Sequence, residues 1–214
     1  MLDAIEITTG DAPRLAVIWL HGLGADGHDF EPIVPELRLG KPVRFVFPHA
    51  PVRPVTINQG MRMRAWYDIF QFGGGREDDA GIRASQELIE GLIQKEQGKK
   101  IVLAGFSQGG AIVLQTALRH PERLAGVMAL STYLPSPRLV FDAPAEANLA
   151  TPIFAAHGLH DDVVDLSLGL AARDALLLRG YPLSWHTYPI PHSVCMEEIV
   201  EIGAWLRELY ATPA

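Results

Sequence analysis

The chain has 214 residues, 48% hydrophobic and 20% charged, with a formal net charge of −7. That length suits a single domain, residues 1–214, with one substantial core, and the acidic balance argues against nucleic acid or an anionic membrane as the main partner. One cysteine, Cys195, excludes an internal disulfide as the source of stability.

Residues 1–10 carry Asp3 and Glu6 and no basic region followed by an apolar stretch, so no signal peptide is expected. The apolar runs that follow are too short to span a bilayer. They predict a cytoplasmic protein without stable membrane insertion. Residues 15–20 form the first such run and end at His21-Gly22; residues 43–47 form the second and end at Pro48. Residues 48–75 then break the rhythm with several prolines and arginines and the run Gly73-Gly74-Gly75. A long excursion of this kind reads as the wall or lid of a site. Residues 76–97 place Ile82, Leu88, Ile89, Leu92 and Ile93 mostly on one helical face.

Residues 101–104 predict a strand, 108–120 a helix stopped by Pro121, and 124–130 another strand. Residues 133–151 are irregular, with Pro135, Pro137, Pro144 and Asn148. A strand over 153–156, a helix over 163–179 ending at Gly180, a strand over 183–188 and a helix over 193–210 complete the chain. Near-continuous apolar strands alternating with helices predict an α/β fold, a mainly parallel sheet with helices on both faces.

Gly105-Phe106-Ser107-Gln108-Gly109 fits G-x-S-x-G, and it lies where the motif needs to lie, between a predicted strand and a predicted helix. A strand turning abruptly into a helix pushes the serine hydroxyl into the open and frees the first helical N–H groups for a developing oxyanion. Ser107 is therefore the candidate nucleophile, and the expected chain order is serine, acid, histidine. His192, in the loop after the last strand, lies at the same sheet edge as Ser107 and is the candidate base. His186 sits inside a strand and His120 at the far end of a helix. Between Ser107 and His192, the loop after residues 153–156 holds Asp161, Asp162 and Asp165. Asp165 reads as a surface helix residue, while spacing does not separate Asp161 from Asp162. The loop after the first strand, His21-Gly22-Leu23-Gly24, suits a second oxyanion donor, so the N–H groups of Leu23 and Gln108 form the candidate hole. His21 precedes the serine and reads as a structural hydrogen-bonding residue.

These motifs, with Trp66-Tyr67-Asp68-Ile69, His157-Gly158 followed by Asp161, and Pro191-His192, resemble those of the bacterial carboxylesterase and acyl-protein thioesterase group over nearly the whole chain. The resemblance implies an α/β-hydrolase fold and a Ser-Asp-His triad, with no cofactor and no metal. It implies Asp161 as the acid and supports Leu23 and Gln108 as oxyanion donors. It also implies that the Trp66-Tyr67 segment lines a substrate pocket, to which Met61, Met63, Phe70 and Phe72 would add apolar surface. The expected substrate is a small ester or an acylated molecule. The apolar stretch around Trp66 suits a homodimer contact as well as a substrate wall. The chain departs from the family at Ser193-Val194-Cys195, after the histidine, and in the basic lead-in Gly60-Met61-Arg62-Met63-Arg64-Ala65.

Three other readings compete. A metal could be held by His157, His160, Asp161 and Asp165, but they do not form His-Glu-x-x-His. Cys195 could be a nucleophile, but serine occupies the elbow. A catalytically silent ligand-binding protein could use the same scaffold.

Overall fold

A computed structural model describes residues 2–71, 76–142 and 144–212. Nine strands and five α-helices follow one another as β1 (Ala4–Thr8), β2 (Leu15–Leu20), β3 (Val43–Pro48), β4 (Val52–Val55), β5 (Met61–Arg64), α1 (Asp79–Lys95), β6 (Lys100–Phe106), α2 (Gln108–Ala117), β7 (Gly126–Leu130), α3 (Pro137–Phe141), β8 (Ile153–Gly158), α4 (Leu166–Leu178), β9 (Leu183–Tyr188) and α5 (Met196–Ala211) among the described residues. Seven strands form one sheet in the order β1-β3-β2-β6-β7-β8-β9. β1 is antiparallel to β3, and every other pairing in that sheet is parallel.

Alternate residues along each strand point to opposite faces, and both faces are covered. Ala16, Ile18, Leu20, Leu103 and Val127 pack with Ile82 and Ile89 of α1, Ala111–Leu114 of α2 and Leu176 of α4. Leu15, Val17, Trp19, Phe45, Phe47 and Met128 pack with Ile199, Ile202 and Leu206 of α5 and with Val34 and Leu37 from a pair of short 3₁₀ turns. Covered faces are why β2, β6 and β7 read as unbroken apolar runs.

Several boundaries differ from the sequence pattern, each for a local reason. α1 begins at Asp79, not at residue 76, because the Asp78 carboxylate accepts the Gly81 N–H and caps the helix. Asp165 does the same for α4 through the Ser167 N–H. α5 begins at Met196 because Cys195 is extended, and Glu198 reaches back to the Cys195 N–H in a capping-box arrangement. The edge strand β1 escaped the pattern because only its inner face is apolar. Inside the 48–75 excursion, β4 and β5 pair as an antiparallel hairpin, Val52 opposite Arg64 and Val55 opposite Met61. Its turn ends on Gln59 and Gly60, both at positive φ. Phe72 and the three glycines after it lie outside the described residues. Among the described residues, no helix is long and apolar enough to cross a membrane.

Candidate active site

Parallel strands share a carboxyl edge, and their following loops meet there. The loop after β2 brings His21–Gly24, the turn after β6 brings Ser107, the loop after β8 brings Asp161, and the loop after β9 brings His192.

Ser107 has φ 54° and ψ −121°, a conformation that non-glycine residues rarely adopt. It is held because strand β6 must pass directly into α2 with almost no room. A Cβ at Gly105 would stand 2.4 Å from the Gly109 carbonyl carbon, and one at Gly109 would stand 2.5 Å from the Leu20 carbonyl oxygen. Both positions therefore require glycine. The Ser107 N–H donates to the Leu130 carbonyl at 2.9 Å, which ties the elbow to β7.

A continuous hydrogen-bonded line starts at this serine. Ser107 Oγ lies 2.9 Å from His192 Nε2, and His192 Nδ1 lies 2.7 Å from Asp161 Oδ2. The carboxylate can only accept, so Nδ1 carries the proton and Nε2 presents its lone pair to the serine hydroxyl. The other carboxylate oxygen accepts the N–H groups of Val163 at 3.0 Å and Val164 at 2.8 Å. Asp161 is buried, whereas Asp162 is exposed and Asp165 is occupied as a helix cap. Local geometry thus separates the two adjacent aspartates that spacing left equal. His157 lies behind Asp161, its Nε2 2.8 Å from the Val164 carbonyl and 3.4 Å from Asp161 Oδ2. The Phe106 ring packs on His192 with centroids 4.7 Å apart.

The N–H groups of Leu23 and Gln108 make no hydrogen bond among the described residues. Gln108 is the first residue of α2, where an N–H has no helical partner and the helix end favours negative charge. Its side chain works elsewhere: Oε1 accepts the Trp66 N–H at 2.9 Å, and Nε2 donates to the Tyr67 carbonyl at 2.7 Å. This amide clamps the 65–68 segment to the elbow.

Trp66 and Tyr67 are completely buried. Trp66 Nε1 donates to the His21 carbonyl at 2.9 Å, its carbonyl accepts the Ser85 hydroxyl, and the Tyr67 and Tyr133 hydroxyls lie 2.8 Å apart. Burial pushes the Tyr67 hydroxyl well above its ordinary range, so the pair stays neutral. Neither Trp66 nor Tyr67 has surface to offer a substrate or a second protomer in this conformation. Met63 is half-buried, with its sulfur 3.7 Å from where a Gly24 Cβ would stand, beside the loop that follows β2. Phe70 is half-buried under the Arg76 guanidinium, 5.1 Å from its ring centroid. Met61 is largely exposed at the hairpin.

His21 is buried and neutral. Burial drives its pKa down to about 4, outweighing the hydrogen bond to Gly22 that opposes the shift. His186 and His120 are engaged away from the serine, with Glu201 and Glu90 respectively, each at 2.8 Å.

The phospholipase/carboxylesterase family profile matches residues 3–210. The chain belongs to that family. It is 44% identical over 209 residues to acyl-protein thioesterase 1 of Neurospora crassa, covering 90% of this chain and 85% of that protein. It is 36% identical to the Cryptococcus neoformans acyl-protein thioesterase 1, covering 97% of both. These relatives are fungal, which corrects the bacterial emphasis of the motif resemblance. Among solved structures, Zea mays acyl-protein thioesterase 2 superposes with a TM-score of 0.90 at 27% identity, covering 98% of this chain and 99% of that one. Arabidopsis thaliana SOBER1 superposes at 0.87 with 31% identity, covering 92% and 99%. The fold is that of the α/β-hydrolases.

Proposed function

We propose that this chain, acting as one hydrolase unit over residues 1–214, cleaves carboxylic esters or thioesters with an apolar acyl group through an acyl-enzyme intermediate. Ser107 is the nucleophile, His192 the general acid and base, and Asp161 the group that orients His192. His192 Nε2 takes the serine proton as Oγ attacks the carbonyl carbon, and the N–H groups of Leu23 and Gln108 receive the oxyanion. The imidazolium gives its proton to the leaving alcohol or thiol. Water then repeats the sequence on the acyl-serine and releases the acid. Asp161 stays ionised and stabilises the charged imidazole.

The single observation that carries this reading is the aligned Ser107–His192–Asp161 line, set on a strained elbow beside two free N–H groups. Similarity to acyl-protein thioesterases supports extending the substrate class from oxygen esters to thioesters. Met63 and Phe70 form the apolar wall in this reading, with Trp66 and Tyr67 packed behind it. Residence in the cytoplasm and a small-molecule or acylated substrate, with no metal or cofactor, belong to the same proposal.

The test is hydrolysis of p-nitrophenyl esters from two to sixteen carbons and of matching acyl thioesters, together with fluorophosphonate labelling. Wild type should turn over and label, and Ser107→Ala should do neither. A Ser107→Ala protein that keeps wild-type turnover would sink the proposal.

A further inference from the structure

The two N–H groups assigned to the oxyanion belong to the Gly22–Leu23 and Ser107–Gln108 peptide bonds. A trans peptide is planar, and its C=O and N–H point in opposite directions. Whatever holds the carbonyl of Gly22 therefore also aims the N–H of Leu23. The same holds for the Ser107 carbonyl and the Gln108 N–H.

Each carbonyl is held by a buried side chain. His21 Nδ1 lies 2.7 Å from the Gly22 carbonyl oxygen, and the Ala50 N–H donates to His21 Nε2 at 3.0 Å. Accepting from Ala50 requires a lone pair on Nε2, so the single imidazole proton sits on Nδ1 and is donated to Gly22. Among the described residues, the only other hydrogen bond to that carbonyl comes from the Ala25 N–H, longer at 3.3 Å. The preceding plane is fixed as well, because Trp66 Nε1 holds the His21 carbonyl. At the elbow, Thr132 Oγ donates to the Ser107 carbonyl at 2.6 Å, alongside the 3.2 Å Ala111 N–H of α2. His21 and Thr132 are 2% and 5% exposed, so water does not compete for either bond.

We propose that His21 and Thr132 are positioning residues that aim the two oxyanion donors through the far ends of their own peptide planes. The proposal rests on the esterase reading above. His21 is the more consequential of the two, since the Ser107 plane is also restrained by the helix. Because the oxyanion exists only after attack, misaiming a donor should lower kcat and leave KM alone.

His21 offers a discriminating pair of substitutions. In His21→Asn the amide nitrogen can occupy the place of Nδ1 and keep the Gly22 bond, while nothing reaches Ala50. In His21→Gln the longer amide reaches the Nε2 position and keeps the Ala50 bond, while the Gly22 bond is lost. Both lose one buried hydrogen bond, so their melting temperatures should fall comparably. Their kcat values should not: His21→Gln is expected to lose roughly tenfold to a hundredfold, less than the ~10²–10³ cost of deleting a donor outright, with His21→Asn well above it. Thr132→Val should lose kcat more mildly, and Thr132→Ser should recover it. A His21→Gln enzyme at least as fast as His21→Asn would overturn the proposal. So would losses that fall on KM, or losses in all four variants that merely track melting temperature. Wild type that neither hydrolyses p-nitrophenyl esters nor reacts with the fluorophosphonate would instead refute the esterase reading itself.

Discussion

Replacing Asp161 by asparagine changes one atom, and the structure dictates where that atom must go. Oδ1 accepts the N–H groups of Val163 and Val164, so the asparagine carbonyl oxygen has to take that position. The opposite orientation would set the amide N–H groups against two backbone donors and orphan both, at ~1–3 kcal/mol each. The amide nitrogen therefore replaces Oδ2, 2.7 Å from His192 Nδ1. Facing a donor, Nδ1 must become the acceptor, and the one proton of the neutral ring moves to Nε2. Nε2 lies 2.9 Å from Ser107 Oγ, so the serine loses its base without any change in packing. Wrong-tautomer substitutions of this kind cost about 10⁴ in kcat, which is about 5 kcal/mol of barrier. The assay is single-ester turnover, with Asp162→Asn as the control at the exposed neighbour. Asp161→Asn within tenfold of wild type, or Asp162→Asn equally impaired, would refute the reasoning.

Glu198 should make the fold pH-sensitive in an unusual direction. Burial, with Oε1 left without a hydrogen-bond partner among the described residues, pushes its pKa up to about 8. Between the ordinary carboxylate range and that value the folded state binds the extra proton, so stability falls as pH rises from about 4.5 to 8. The full effect is on the order of 5 kcal/mol, at 1.36 kcal/mol per pH unit over that interval. Glu198→Gln keeps the shape and cannot ionise, so urea unfolding should show its stability gaining steadily on wild type from about pH 5 to about pH 8 and levelling off by about pH 9. A pH-independent difference would contradict the buried, protonated carboxyl. Gly109→Ala puts a methyl 2.5 Å from the Leu20 carbonyl oxygen and should destabilise by ~1–3 kcal/mol on melting, with turnover lost as the elbow shifts; a wild-type melt would show that the close approach is tolerated.

The alternation of strands and helices was legible in sequence because its causes are local and periodic. β2 and β9 match their predicted spans, β2 as an unbroken apolar run ending at His21-Gly22 and β9 as a stretch bearing Trp185, Thr187 and Tyr188 that ends at Pro189, and neither signal needs a distant partner to be recognised. The elbow was legible for a similar reason: Gly105 and Gly109 answer to a clash that any strand-to-helix turn of that pitch must avoid. The β4–β5 hairpin was not, because Arg53, Pro54, Arg62 and Arg64 mask its alternation. The family resemblance implied Trp66 and Tyr67 as pocket lining, whereas both side chains are completely buried, and an aromatic pair in a loop gives no sign in sequence of which way it faces. Their burial comes from the His21 carbonyl, Ser85 and Tyr133, up to 66 residues away.

From sequence alone came the layers of the fold, the nucleophile candidate and the order in which its partners follow. Those rest on repeat, spacing and the conformational demands of single residues. Tertiary structure decided the orientations: Asp161 inward and Asp162 outward, the His192 proton on Nδ1, and the two peptide planes beside the serine turned so that their N–H groups are free. Loop dihedrals do not repeat, so no period encodes a side-chain direction there. It is the assembled sheet, whose carboxyl edge gathers four loops from the 172 residues of chain from His21 to His192, that sets each of them.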